Sequence, residues 1–292
     1  MIESDLSLSC RNRLDRERNL FQGDYKKHYL AGETKGPEIG EPFLLHHPGA
    51  KGAVLLIHGF MAAPHEVRDW AEDLYSQGYT VYAPRLSGHG TSAIDLDFQN
   101  YGNWLDSVDR GYEILSLCSD RIVVAGFSTG AGIALLQAIR HPERYKAVVS
   151  VSAPMKFKSL SSYFSEIIEY WNWFARTIKL DSFQKRFAQN HPDNPDINYH
   201  RCPIHGFNQV KALMRKVQQG LPGLCIPALV IQGNRDPKVS PMAGERIFDR
   251  IRIPEKKYVA IDYHLHGIVR GPISASVFSA VNNFLSQYVP LG

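Results

Sequence analysis

Short, wholly apolar runs alternate with helical patterns along most of this chain, and that alternation restricts the fold more than any other feature. The run AVLLI at 53–57 ends in His58-Gly59. Short apolar runs bounded by turn residues mark strands buried on both faces of a parallel sheet. Residues 65–77 follow, with Val67, Trp70, Ala71 and Leu74 at helical spacing and Gly78 as the stop. The pattern then repeats. YTVYA at 79–83, RIVVA at 121–125, YKAVVSV at 145–151, PALVI at 227–231 and KYVAI at 257–261 read as strands. Helices are expected over 103–118, 129–140, 242–250 and 273–288. Strand and helix in alternation, with short connections, give an α/β fold: a mostly parallel central sheet flanked by helices.

The alternation breaks off near Pro154 and resumes at Pro227. The intervening 155–225 has a different texture, rich in Phe and Tyr, with Trp171, Trp173 and a Pro/Asn-rich turn cluster at 191–198. Two helices are expected inside it, over 160–178 and 208–219. It reads as a helical cap inserted between two core strands, the core being 42–154 and 226–292. Residues 1–41 are polar, with turns at Gly32, Gly36, Pro37 and Gly40. They read as an N-terminal extension leading into an edge strand near 42–46.

Composition narrows the function classes. The chain has 292 residues, 44% of them hydrophobic and 21% charged, enough to bury a core without metal or disulfide support. Net charge is only +4, and no Lys/Arg run or basic-aromatic module appears, which argues against nucleic acid as partner. The four cysteines form no C-x-x-C pair. Cys118 and Cys225 sit among apolar neighbours and read as small core residues, so a reducing compartment is expected. No signal peptide or spanning run is visible, which points to the cytoplasm and leaves peripheral membrane contact open.

Four short motifs carry chemistry. Gly126-Phe127-Ser128-Thr129-Gly130 falls where a strand meets a helix, the setting a nucleophile elbow requires. There the serine takes a strained backbone angle that projects its hydroxyl, and the flanking glycines avoid collision with the neighbouring strand and helix. Leu56-Ile57-His58-Gly59-Phe60 ends an earlier strand. Acyl transfer needs backbone N–H donors aimed at a developing oxyanion, here those of Thr129 and Phe60. His58 itself reads as a brace for that loop. Gly233-Asn234-Arg235-Asp236-Pro237 places an acid at the end of a later strand, on the same rim as Ser128. Asp262-Tyr263-His264-Leu265-His266-Gly267-Ile268 offers the base; His266 is preferred over His264, and Asp262 is a weaker alternative to Asp236. The chain order Ser, Asp, His is that of one fold in particular.

With these motifs, and with Pro84-Arg85-Leu86-Ser87-Gly88-His89-Gly90, the chain resembles the α/β-hydrolase superfamily from about residue 42 to its end. Within the superfamily it is similar to capped bacterial carboxylesterases and monoacylglycerol-lipase-like enzymes. The resemblance implies catalytic Ser128, Asp236 and His266, an oxyanion hole at Phe60 and Thr129, a cap over the site, and no cofactor or metal. A serine in place of an aspartate nucleophile argues against dehalogenase and epoxide hydrolase branches. The histidines are scattered, unlike a metal-ligand cluster, and His89 and His205 read as structural or surface residues.

The expected reaction is hydrolysis of a small-molecule carboxylic ester of short-to-medium acyl chain, monoacylglycerols included. Tyr163, Phe164, Ile167, Trp171 and Phe174 form an apolar stripe at helical spacing in the cap, which is core packing or an acyl tunnel. An acyl thioesterase would use the same triad. A peptidase of the proline-iminopeptidase type would need an acidic anchor for the substrate amine, for which Glu166 and Glu169 are weak candidates.

Overall fold

The computed structural model describes residues 6–50, 52–155 and 186–289. Among the described residues nine strands run in chain order: β1 (Phe43–Leu45), β2 (Ala53–Ile57), β3 (Thr80–Ala83), β4 (Ile122–Phe127), β5 (Ala147–Val151), β6 (Phe187–Gln189), β7 (Arg201–Pro203), β8 (Ala228–Gly233) and β9 (Lys256–Ile261). Seven of them form one sheet in the order β1-β3-β2-β4-β5-β8-β9, while β6 and β7 pair separately. Only β1 runs antiparallel to its neighbour in the large sheet. The apolar runs are these strands, and β2, β4, β5 and β8 are buried at every position.

Their side chains alternate between two cores. Leu55, Ile57 and Val124 face one layer, built from α5 (Tyr101–Leu115), α6 (Thr129–Arg140), α7 (Ile204–Gly220) and α8 (Met242–Arg250). Val54, Leu56, Val123 and Ala125 face the other, built from α3 (Arg68–Ser76) and α9 (Ser274–Tyr288). In the second layer Trp70 of α3 is fully buried and stacks on Phe278 of α9. Each large apolar side chain so enclosed contributes about 1.5–3 kcal/mol relative to exposure.

Three expectations need revision or fall elsewhere. Residues 1–41 are not only turns: α1 (Leu8–Lys27) is a 20-residue helix capped by the Ser7 side chain. Its buried residues are Cys10, Leu14, Glu17 and Phe21, a narrow stripe among charges, followed by the short α2 (Pro37–Gly40). This strap is fastened by Glu17 to Arg110 at 2.7 Å, Asp24 to Arg85 at 2.5 Å, and Arg13 to Glu113. Cys225 is exposed rather than core, because it follows the α7 helix in a turn that leads to β8. The expected helix over 160–178, with its aromatic stripe and Glu166 and Glu169, lies outside the described residues.

Within 186–225, α7 begins four residues earlier than the expected helix at 208, and the β6–β7 pair was not anticipated. This segment is tied to the core by a buried tyrosine. Tyr199 donates its hydroxyl to the Gly88 carbonyl at 3.0 Å and accepts from the Thr91 N–H at 2.8 Å, while its own N–H donates to Met61 O at 3.0 Å. A buried carboxylate completes the seam. Glu33 of the strap accepts from the N–H of Ala93, in α4 (Ala93–Asp97), at 2.7 Å and from Arg201 at 2.6 Å. Among the described residues no helix is long and apolar enough to cross a membrane.

Candidate active site

Strand order locates the site. The chain leaves β2 toward β3 on one side and returns to β4 on the other, so the sequence of strands reverses between β2 and β4. Ligands of open α/β sheets gather in the crevice outside the carboxyl ends of the strands at such a reversal. The loop after β2 carries Gly59 and Phe60, and β4 ends at Phe127, directly before Ser128.

Ser128 has φ 54° and ψ −121°, a conformation that L-residues rarely adopt and that costs of order 1–3 kcal/mol. Crowding holds it there. A Cβ on Gly126 would lie 2.3 Å from the Gly130 carbonyl oxygen, and one on Gly130 would lie 2.3 Å from Ile57 O and 2.4 Å from His58 O. The Ser128 N–H is fixed by Val151 O at 2.8 Å, and its carbonyl accepts from Ala131 N at 3.0 Å. The glycines are therefore a steric requirement of three chain segments meeting at one point.

Three side chains from three strand ends converge. His266 Nε2 lies 2.9 Å from Ser128 Oγ, and His266 Nδ1 lies 2.6 Å from Asp236 Oδ2. Asp236 is fully buried, and its other oxygen accepts from the N–H groups of Lys238 and Val239 at 2.8 and 2.9 Å. Burial alone would raise its pKa. The His266 charge, the His266 hydrogen bond and the two backbone bonds outweigh burial and hold the carboxyl below the usual aspartate range. The two alternatives are elsewhere. Asp262 is exposed and pairs with Arg235 at 2.8 Å, and His264 is exposed against the Tyr263 ring.

Phe60 and Thr129 line the same cleft as Ser128 and His266. Thr129 is the first residue of α6, where a backbone N–H has no helical carbonyl to bond, so it is available to an anion. A Cβ on Gly59 would stand 3.3 Å from the Ser128 Cβ, which sets the β2 loop directly against the serine. His58 braces that loop from behind. Its Nδ1 bonds Gly59 O at 2.9 Å and its Nε2 accepts from Leu86 N at 3.3 Å, while full burial lowers its pKa to about 4. His89 is also buried, edge-on to the rings of His58, Phe60 and Trp104, whereas His205 is exposed.

One residue of the site was missed from sequence. Glu66, in the 3-10 turn Pro64–Val67, is buried and accepts the Gly59 N–H at 2.7 Å. Burial raises its pKa to about 7, against the Gly59 bond and the nearby positive charges of His266, Arg270 and Lys238. A glutamate at the head of a surface-type helical pattern carries no signal of this role, because the role depends on the fold bringing it back to Gly59. Lys238 pairs with Asp193 at 3.1 Å and ties the loop after β8 to the segment entering the cleft. The cleft lining is mixed: Phe60, Phe127, Phe207 and Val210 contribute apolar surface, Asn190 and Asn194 polar surface. Among the described residues no three His, Cys, Asp or Glu side chains converge as a metal-ion set.

The strand order, the elbow and the convergent Ser-His-Asp side chains define a serine hydrolase scaffold. Residues 48–272 match the family described as serine aminopeptidase, S33, and the chain belongs to that family. It is 30% identical over 77% of its length to a thermostable monoacylglycerol lipase of Bacillus sp. (strain H-257), covering 86% of that protein. It is 26% identical over 72% of its length to a carboxylesterase of Bacillus subtilis (strain 168), covering 82% of it. Among solved structures, the monoacylglycerol lipase of Paleococcus ferrophilus superposes with a TM-score of 0.68 at 19% identity, over 85% of this chain and 98% of that one. The fold is that of α/β-hydrolase lipases and esterases.

Proposed function

We propose that this protein hydrolyses carboxylic esters through an acyl-enzyme on Ser128. The observation that carries the reading is the unbroken line from Asp236 Oδ2 to His266 Nδ1 at 2.6 Å and from His266 Nε2 to Ser128 Oγ at 2.9 Å. His266 takes the Ser128 proton as the oxygen attacks the acyl carbon, and Asp236 holds the imidazole in the tautomer that leaves Nε2 free to accept. The N–H groups of Thr129 and Phe60 receive the oxyanion. His266 returns the proton to the departing alkoxide, then activates the water that releases the acid. No cofactor enters these steps.

We assign the cap to residues 155–225; its described part, 186–225, is tied to the core by Tyr199. The mixed apolar and polar lining of the cleft suits an ester with an apolar acyl chain of short-to-medium length and a polar alcohol, monoacylglycerols among them. The names of the two Bacillus relatives support the same substrate class. The test is hydrolysis of p-nitrophenyl esters from acetate to palmitate by wild type and Ser128→Ala in parallel. Wild type is expected to turn over with a chain-length optimum, and the variant to lose about 10⁴-fold or more in kcat while keeping its melting temperature. Aminoacyl p-nitroanilides, which a peptidase would cleave, are expected to stay intact. Equal rates in both proteins would falsify the assignment of Ser128.

A further inference from the structure

The N-terminal strap meets the core through a pair of sulfurs. Cys10, fully buried on α1, has its Sγ 3.6 Å from Sγ of Cys118, which follows the end of α5 and is partly exposed. Both sulfurs turn toward one acceptor, the Ile114 carbonyl, at 4.0 and 3.8 Å. The two residues are 108 positions apart in sequence, so their meeting is a product of the fold. Cys10 lies outside the residues matched by the family, which begin at 48.

We propose that Cys10 and Cys118 form a reactive dithiol that a hydroperoxide converts to a disulfide, fastening the strap covalently to α5. Closure requires the sulfurs to move from 3.6 Å to about 2.05 Å. The environment separates the two roles. Cys10 stands in the first turn of a 20-residue helix, and its N–H is capped by Ser7. A helix N-terminus favours the thiolate. The hydrogen bond from Cys118 also lowers the Cys10 pKa, against its burial, while that same bond and burial raise Cys118. Cys10 is therefore the nucleophile and Cys118 the resolving thiol and the point of entry. The Cys10 thiolate attacks the peroxide oxygen, breaking the O–O bond and releasing alkoxide, which takes up the Cys10 proton. The resulting sulfenic acid is attacked by the Cys118 sulfur, which gives up its proton as water leaves. In sum, two thiols and one hydroperoxide give a disulfide, an alcohol (or water, from hydrogen peroxide) and water. The two sulfurs lose two electrons to the O–O bond.

The contrast with the remaining cysteines sharpens the assignment. Cys202 is fully buried, with burial holding its pKa well above the ordinary thiol value, and Cys225 is exposed. The Cys202 sulfur turns to the neighbouring Pro203 carbonyl at 3.9 Å rather than to a second sulfur. A bond at 10–118 would close a loop of more than a hundred residues, the case in which a cross-link restricts the unfolded chain most.

The experiment treats the full chain with a few equivalents of hydrogen peroxide, blocks residual thiols, and digests without reductant. Tryptic peptides Met1–Arg11 and Gly111–Arg121 are expected as one linked species. Free thiols should fall from four to two. The melting temperature should rise by about 5 °C or more, and dithiothreitol should reverse both changes. Cys118→Ser should abolish the link and the shift, and Cys10→Ser should do the same if it folds. Four thiols surviving treatment would overturn the proposal. So would sulfinic acid on either residue in place of the link, or a link through Cys202 or Cys225.

Discussion

The elbow at 126–130 and the strap at 6–41 hold parts of one molecule by opposite means. At the elbow, three backbone segments approach so closely that no side chain fits on Gly126 or Gly130, and Ser128 is pinned by main-chain bonds to Val151 and Ala131. The strap is held by side chains. Arg13 to Glu113 is solvent-exposed at both ends, and Asp24 and Arg110 are each about 40% exposed where they pair with Arg85 and Glu17. Crowded backbone leaves no alternative geometry, so a single added carbon is felt. Exposed ion pairs are each worth about 0–1 kcal/mol and give way singly without consequence. Position in the site therefore matters less than the kind of constraint, and substitutions on the two sides should separate cleanly.

The largest expected effect is at the buried end of the triad. Asp236→Asn keeps shape but reverses the hydrogen bond that fixes His266, and kcat should fall by about 10⁴-fold with the fold intact. Retained activity would detach Asp236 from the reaction. Next is Gly130→Ala. Its Cβ must displace the Ile57 or His58 carbonyl, at the junction of β2 with the loop that carries Phe60. A shift of that loop by a fraction of an ångström should lower kcat by about 10²-fold and cost roughly 1–3 kcal/mol of stability. If Gly130→Ala behaves as wild type, the elbow is more pliant than its contacts imply and the comparison with the strap fails.

Glu66 stands between the two kinds of constraint, being a side chain that does the work of packing. Glu66→Ala leaves the Gly59 N–H buried without a partner, at a cost of about 1–3 kcal/mol, and should lower kcat about tenfold. Glu66→Gln retains an acceptor oxygen and should keep kcat within a few-fold. The two variants also separate in pH. The carboxyl titrates near 7 in the folded protein against an ordinary 4.5, so the folded state holds the extra proton between those values. Stability attributable to Glu66 therefore falls as pH rises from about 4.5 to about 7. His58, held near 4, and His89 act in the opposite direction, but equally in both proteins. Denaturant midpoints should show Glu66→Gln gaining on wild type between pH 5 and pH 8 by on the order of 2 kcal/mol. Parallel curves would mean that Glu66 is ionised throughout.

The same distinction explains what could be read from the sequence. The elbow was legible because its constraint is local: five consecutive residues at a strand–helix junction impose the geometry, and the chain order of Ser128, Asp236 and His266 follows the strand order. The choice of His266 over His264 and of Asp236 over Asp262 rested on position; His266 lies 2.9 Å from Ser128 and 2.6 Å from Asp236, while His264 and Asp262 are exposed. The strap was illegible for the converse reason. Its stripe of Cys10, Leu14, Glu17 and Phe21 is only one residue wide, and a buried glutamate stands in it because Arg110, 93 positions away, receives it. Glu66 is silent in sequence on the same grounds, and so is Glu33, whose partners lie on α4 and β7.

The smallest effect tests the comparison from its weak side. Glu113→Gln removes the charge opposite Arg13 without altering length, at a site where both side chains are about half exposed. Solvent screening and the entropy of holding two long side chains leave such a pair well under 1 kcal/mol. Melting temperature should therefore move by no more than about 2 °C, and ester turnover should not move at all. Because α1 also buries Cys10, Leu14 and Phe21, loss of one exposed pair leaves the apolar contact that carries the helix. A drop of 5 °C or more would show that the strap depends on its surface charges, and that its constraint is as local as the elbow's.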